Sequence, residues 1–373
     1  MDLVYNGLRV EFSVREKGDN MKLLTGLLLA VLILMASCST VMLIENPMEE
    51  SIPEYISVRA PVLKYSLIET LYEIYRANIL VPDQIASAYA VPVDGYADHY
   101  SWLIETYEEL NSDAQDTLVE LFEITNPWTL MNLTTRLADD ATIEEIVDLL
   151  TSSEADLDDG TKSLIAFLFP RFYNNYFAAY FEKNVKQFIP LAEEMTAEAL
   201  KRENIIRFME EQSGLSLGDK AVVLYYSLQA AGAWSFNHGD LMISTIQRNV
   251  VSFDLLYHTP LHEFTHDLYR KFIDSQEFYQ LFHDLFVRNW GFAVHWYNQP
   301  SLYTVYSWWA FCEENLVEGF AKLLRERYYT NVEHRRVYYY DLDFYSYLKE
   351  IAFDSSQHSL EEISVDFFRS VLR

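Results

Sequence analysis

The sequence predicts an α+β protein in which helix predominates. Three observations carry this expectation. Tyrosine (27) and phenylalanine (23) are abundant in the 373 residues, while glycine (11) and proline (10) are few, the composition of a compact, ordered chain. Helical spacing of apolar residues recurs along the chain. Only residues 221–246 read as strand, with apolar runs flanking a turn.

Taken in order, residues 1–20 carry mixed charges and sit awkwardly ahead of an apolar leader; they read as a mis-called start or an extension. Met21-Lys22 then precede a nearly continuous apolar run, residues 23–36, which ends in Met35-Ala36-Ser37-Cys38. That run is too short for a membrane span, which needs about 20 residues. A basic start, a short apolar core and small residues before a cleavage point describe an export signal. The cysteine makes residues 21–37 resemble a bacterial lipoprotein signal peptide, with Met35 standing where leucine is commonest. The resemblance implies lipidation at Cys38 and an exported, membrane-anchored protein of the bacterial cell envelope. Cys312 alone then remains, so no intramolecular disulfide can form. The core must hold the fold together, and a chain of this length suffices for that.

Residues 38–60 read as a tether. Residues 61–200 read as an acidic α-helical region, with helices at 65–79, 100–110, 113–124, 142–150 and 161–169, and with 170–200 helical in two pieces broken at Pro190. No chemistry is visible in this region. Residues 38–200 hold 8 basic and 29 acidic side chains, and the whole chain has a net charge of −28. Such a surface excludes nucleic acid as a partner, because that binding depends on Lys and Arg neutralising phosphates. It equally argues against a polybasic membrane contact.

Residues 201–373 have a different texture. A helix at 203–212 is followed by a buried strand at 221–228. Two further strands, 233–236 and 241–246, flank a turn at Asn237-His238-Gly239-Asp240. Next comes His262-Glu263-Phe264-Thr265-His266. Two histidines four residues apart share one side of a helix and can hold one metal ion. Glu263, about 100° round the helix, can act on a water at the metal's open position. Thr259 suits an N-cap and Pro260 the first helical position. Leu261, Phe264, Thr265, Leu268 and Phe272 form the stripe that would dock this helix on a core.

A catalytic zinc keeps three protein ligands and an open site. Tyr269 and Phe272 stand where the longer three-histidine pattern would need other residues, so the third ligand must lie elsewhere. The helical stretch 311–327 supplies acidic candidates. By the 3.6-residue period, Glu318 and Glu314 lie on one flank away from the apolar side, whereas Glu313 points into that side and is the poorest choice. Leu316-Val317-Glu318-Gly319-Phe320-Ala321 resembles the L-x-E-G-F-A segment of aminopeptidase-like gluzincins, which implies Glu318 as ligand. The pair Glu314 and Glu318 also resembles the E-x-x-x-[DE] segment of thermolysin-like enzymes. That alignment implies Glu314 as ligand, with Glu318 steadying a histidine. Glu318 is narrowly preferred. The segment 308–317 with the histidine motif also resembles a family of uncharacterised bacterial lipoproteins that carry a glutamate at position 314.

The resemblance to gluzincin metalloproteases implies a zincin-like catalytic domain over residues 201–373, with a small sheet and the histidine motif on its active-site helix. It implies an edge strand at 241–245 lining the cleft, and the insert 276–309 folding as helices that could wall it. One Zn2+ per chain is expected. Tyr303, Tyr338, Tyr339, Tyr340 and His295 are candidates to stabilise an oxyanion. The function implied is an exported, lipid-anchored peptidase that hydrolyses peptide bonds with zinc-activated water and Glu263 as general base. The alternatives are a zinc hydrolase of another class, or a surface-binding lipoprotein without activity.

Overall fold

A computed structural model describes residues 4–5, 8–9, 55–230, 232–299, 302, 306–329 and 332–372. Cys38, the apolar run 23–36 and Tyr303 lie outside the described residues. Residues 1–49 form a separate unit, of which a two-residue antiparallel pair, Val4–Tyr5 with Leu8–Arg9, is described. Residues 50–373 form one compact unit. The acidic helical region and the region bearing the histidine motif therefore share a core.

Helix predominates, and one four-stranded mixed sheet organises it. The strands are β1 (Ile56–Arg59), β2 (Ala221–Tyr226), β3 (Ser235–His238) and β4 (Leu241–Ile246). Their order is β1-β2-β4-β3. β1 pairs parallel to β2 with Ile56 opposite Val222, and β2 pairs parallel to β4 with Ala221 opposite Leu241. β3 runs antiparallel to β4 through a tight turn at Gly239-Asp240, where Gly239 takes a φ of 57°. Glycine accepts that left-handed conformation without steric cost.

Two expectations change here. The segment read wholly as tether contributes β1, whose Val58 N–H donates to Thr196 Oγ1 at 2.8 Å. The strand expected at the edge, 241–246, lies inside the sheet; β3 is the edge strand on that side. β4 is buried along nearly its whole length, as an interior strand requires, whereas β3 is half-exposed.

Helix α1 (Leu63–Tyr75) follows β1 and runs into a π-helical turn at Arg76–Leu80. The break expected at Pro190 falls earlier: α2 (Phe188–Ala199) contains that proline in its first turn, where the missing N–H costs nothing. The histidine motif lies on α3 (His258–Tyr269), which packs on β4. Tyr257, not Thr259, is its N-cap, so Thr259 and Pro260 are already inside the first turn. Leu261, Phe264, Thr265 and Leu268 are buried as the stripe requires.

The insert folds as α4 (Gln276–Arg288) and α5 (Trp290–Tyr297). The long α6 (Trp308–Tyr328) then crosses α3. α7 (Asp341–Glu350) and α8 (Leu360–Val371) close the fold, with α7 against α6. A Cβ on Gly319 would fall 2.8 Å from both the Asp341 carbonyl oxygen and Phe344 Cδ1. Only glycine lets α7 approach α6 this closely.

Candidate metal centre

The crossing of α3 and α6 sets two histidines against three glutamates. His262 Nε2 lies 3.3 Å from Glu314 Oε2, and His266 Nε2 lies 3.6 Å from Glu314 Oε1. The opposite ring nitrogens are held by separate carboxylates. His262 Nδ1 meets Glu318 Oε2 at 2.7 Å, and His266 Nδ1 meets Glu313 Oε1 at 2.8 Å. A carboxylate on Nδ1 fixes the proton there and leaves the Nε2 lone pair facing Glu314.

His262, His266 and Glu314 each offer one ligand atom, all within 4.8 Å of one another. Donors bound tetrahedrally at about 2.0–2.1 Å stand roughly 3.3 Å apart; the two histidine–Glu314 approaches, 3.3 and 3.6 Å, are close to that spacing, and the full set, within 4.8 Å, is wider. Among the described residues Glu314 Oε2 is buried without a hydrogen-bond partner, and it stands 3.3 Å from His262 Nε2. A buried carboxylate oxygen left bare is costly unless a cation faces it. Two imidazoles and a carboxylate also form a donor set that suits zinc.

Electrostatics point the same way. Burial by itself lowers the His262 pKa, but the carboxylates of Glu314 and Glu318 outweigh it and push it up to about 10. His266 is raised against its own burial by Glu314 and Glu313. Burial raises Glu314 and Glu318. The two histidines pull Glu314 below the ordinary carboxylate range, and Arg325 with His262 takes Glu318 well below it. The pocket thus demands positive charge, which a dication would supply in place of protons on the imidazoles.

Glu318 is itself braced. It pairs with Lys322 one turn on and with Arg325 Nη1 at 2.9 Å. Arg325 also donates from Nε and Nη2 to the His258 carbonyl, at 3.0 and 2.8 Å, tying α6 to the first turn of α3. Lys322 continues to Asp341 at 2.8 Å, and Asp341 accepts from Val337 N–H at 2.7 Å. All four side chains are buried.

Glu263 is half-buried beside the histidines and forms no hydrogen bond or ion pair with another described residue. Burial raises its pKa, opposed by His262 and His266. Two phenols stand on the same side as Glu314. Tyr338 and Tyr306 lie 3.2 Å apart through their hydroxyls, and burial followed by the Glu314 charge raises both pKa values. Tyr340 instead accepts from Asn289 at 2.7 Å. Tyr339 packs on His295, and His295 is bonded to Gln299.

The narrow preference for Glu318 as ligand is therefore corrected: Glu314 faces both Nε2 atoms, and Glu318 holds His262 from the other edge. Glu313, set aside as the poorest choice, holds His266. The helical period misplaced it because α6 is buried on nearly every side and has no solvent face to define a polar flank. Tyr306 was missed, since one tyrosine among 27 carries no local signal. The helical region judged without chemistry also reaches inward. The Arg76 guanidinium lies 3.8 Å from where a Cβ on Gly232 would stand, and its charge acts on Tyr306.

Compared with protein-family models, with curated proteins and with solved structures, the chain matches none.

Proposed function

We propose that this chain is a zinc-dependent peptidase of gluzincin type on a zincin-like fold, exported and lipid-anchored through Cys38 in a bacterial cell envelope. One observation carries the reading: both Nε2 atoms stand within 3.6 Å of Glu314, whose buried Oε2 has no hydrogen-bond partner among the described residues, while both Nδ1 atoms are held by other carboxylates. His262, His266 and Glu314 would hold the ion. Zinc at that point supplies a Lewis acid for a carbonyl and lowers the pKa of a water.

The protein's own groups then have defined tasks. Glu318 and Glu313 orient the imidazoles and keep their protons on Nδ1. Glu263, whose carboxylate has no partner among the described residues and whose pKa burial raises, takes a proton from water and delivers it to the leaving amine. Tyr306 and Tyr338 keep their protons at neutral pH and have hydroxyls to donate to a developing oxyanion. The peptide or protein substrate would lie along the half-exposed edge strand β3. Among the described residues no helix is long and apolar enough to cross a membrane.

The test is zinc content together with peptide hydrolysis. Wild type is expected to carry one zinc per chain and cleave a mixed peptide pool. Glu263→Gln should keep the zinc and lose about 10²–10⁴-fold in rate. Wild type that binds no zinc at neutral pH would sink the reading.

A further inference from the structure

The insert between the two metal-bearing helices turns a large aromatic face outward. Its hub is Trp308, buried and in ring contact with Phe286, Phe292, Trp296 and Phe311. Outside that hub Trp290 is 76% exposed, Tyr297 68%, Val287 62%, Tyr279 53% and Phe286 38%. Trp309 closes the face by packing on the Tyr279 ring at 5.3 Å. These groups are not a misplaced core. The same helices bury Phe278, Leu281, Phe282, Leu285 and Phe292 on their inner sides. Exposed aromatic and aliphatic groups recurring on two consecutive helices mark an interaction surface.

Charge and side-chain type narrow the partner. Across residues 276–309 the formal charges are Glu277, Asp284 and Arg288, in a chain of net charge −28. With a net of −1, this segment meets little electrostatic opposition when it approaches a headgroup layer. Tryptophan and tyrosine suit that layer, because their rings bury while the indole N–H and phenol O–H stay with polar groups. Reach is also sufficient. Residues 39–54 join Cys38 to the fold, and a stretch of that length extends to roughly 55 Å at about 3.4 Å per residue.

We propose that this aromatic face docks on the lipid bilayer interface to which Cys38 is tethered. The docking rests on the anchored location proposed above, and the substrate class on the proposed peptidase chemistry. It deepens that reading by naming a substrate class. Trp309 and Glu313 are one helical turn apart on one flank of α6, about 6 Å, so docking holds the metal centre beside the headgroups. The substrates it selects are polypeptide segments lying close to a bilayer surface.

The test uses the full lipidated protein reconstituted in phosphatidylcholine vesicles whose acyl chains carry bromine near the headgroup. Wild-type tryptophan fluorescence should be quenched, and Trp290→Phe should lose most of that quenching while floating with the vesicles as before. Zinc content and circular dichroism serve as fold controls for this exposed position. A protein that floats without Trp290-dependent quenching keeps the anchor and overturns the docking. A wild type that does not float removes the anchor. Excess vesicles then decide: quenching that depends on Trp290 upholds the docking, and none overturns it. A dimer in sedimentation that Val287→Asp dissociates, with no quenching by lipid, also overturns it and assigns the face to a second copy of this chain.

Discussion

Glu318 grips His262 by Nδ1, at 2.7 Å, on the ring edge opposite the one that Glu314 faces. The two glutamates are one turn apart on α6 and touch the same imidazole, yet they have separate tasks.

Their substitutions should separate accordingly. Glu314→Ala is expected to abolish stoichiometric zinc binding. Glu318→Ala should retain one zinc but weaken affinity by about 10–100-fold. It should also destabilise the fold by about 3–5 kcal/mol, because Arg325 is left buried without a carboxylate while Lys322 keeps only Asp341. Zinc competition with a chelator and urea unfolding measure the two effects. Equal zinc loss in both variants would refute the division.

Glu313 is more exposed than Glu318, with 20% of its side chain accessible against 6%. Glu313→Gln should therefore weaken zinc less than Glu318→Gln, by roughly tenfold at most. The same chelator competition ranks the two, and a reversed order would mean that the brace on His266 matters more than the brace on His262.

Zinc itself should stabilise the fold, since its ligands come from two separate helices. At a hundred-fold excess over the dissociation constant the gain is about 2.7 kcal/mol. Thermal melting with zinc and with a chelator should differ accordingly in wild type and coincide in Glu314→Ala.

Gly319→Ala tests the packing of α7 on α6. The added Cβ meets backbone as well as the Phe344 ring, so a cost of about 1–3 kcal/mol is expected. Urea unfolding would read it, and an unchanged midpoint would show that α7 can retreat freely.

A pH effect arises from α1. Burial pushes Glu69 up to about 7, against hydrogen bonds from Trp234 and Ser227. It pushes Glu73 up to about 7, against Arg76. Both pKa values lie above the unfolded value of 4.5. The stability tied to these groups is fully present below that value and is lost as pH rises through about 7. Urea midpoints should fall between pH 5 and pH 8, and the double variant Glu69→Gln, Glu73→Gln should flatten that fall. A slope that persists unchanged in the variant would place its origin elsewhere.

The sequence disclosed what has local periodicity. Histidines four apart lie on one helix side whatever surrounds them, so His262 and His266 could be paired from spacing alone. The strands at 221–226 and 241–246 were visible as apolar runs next to a glycine turn. Long-range choices left no such trace. β1 is four residues whose partner strand begins at Ala221, so nothing nearby marks it as a strand. The assignment among Glu313, Glu314 and Glu318 depends on how α3 crosses α6, which no period within α6 can report. Tyr306, whose hydroxyl meets Tyr338 beside Glu314, looks ordinary in its own surroundings.

For the anchored peptidase proposed above, the parallel pairing of β1 with β2 has a consequence for release from a membrane. A protease that cuts between Cys38 and Tyr55 would free the catalytic unit whole, with its sheet complete. A cut only a few residues later, beyond Arg59, would leave a strand behind and bare the flank of β2. Shedding as an active soluble form is thus confined to a narrow stretch of chain, and trimming past it becomes a route to inactivation.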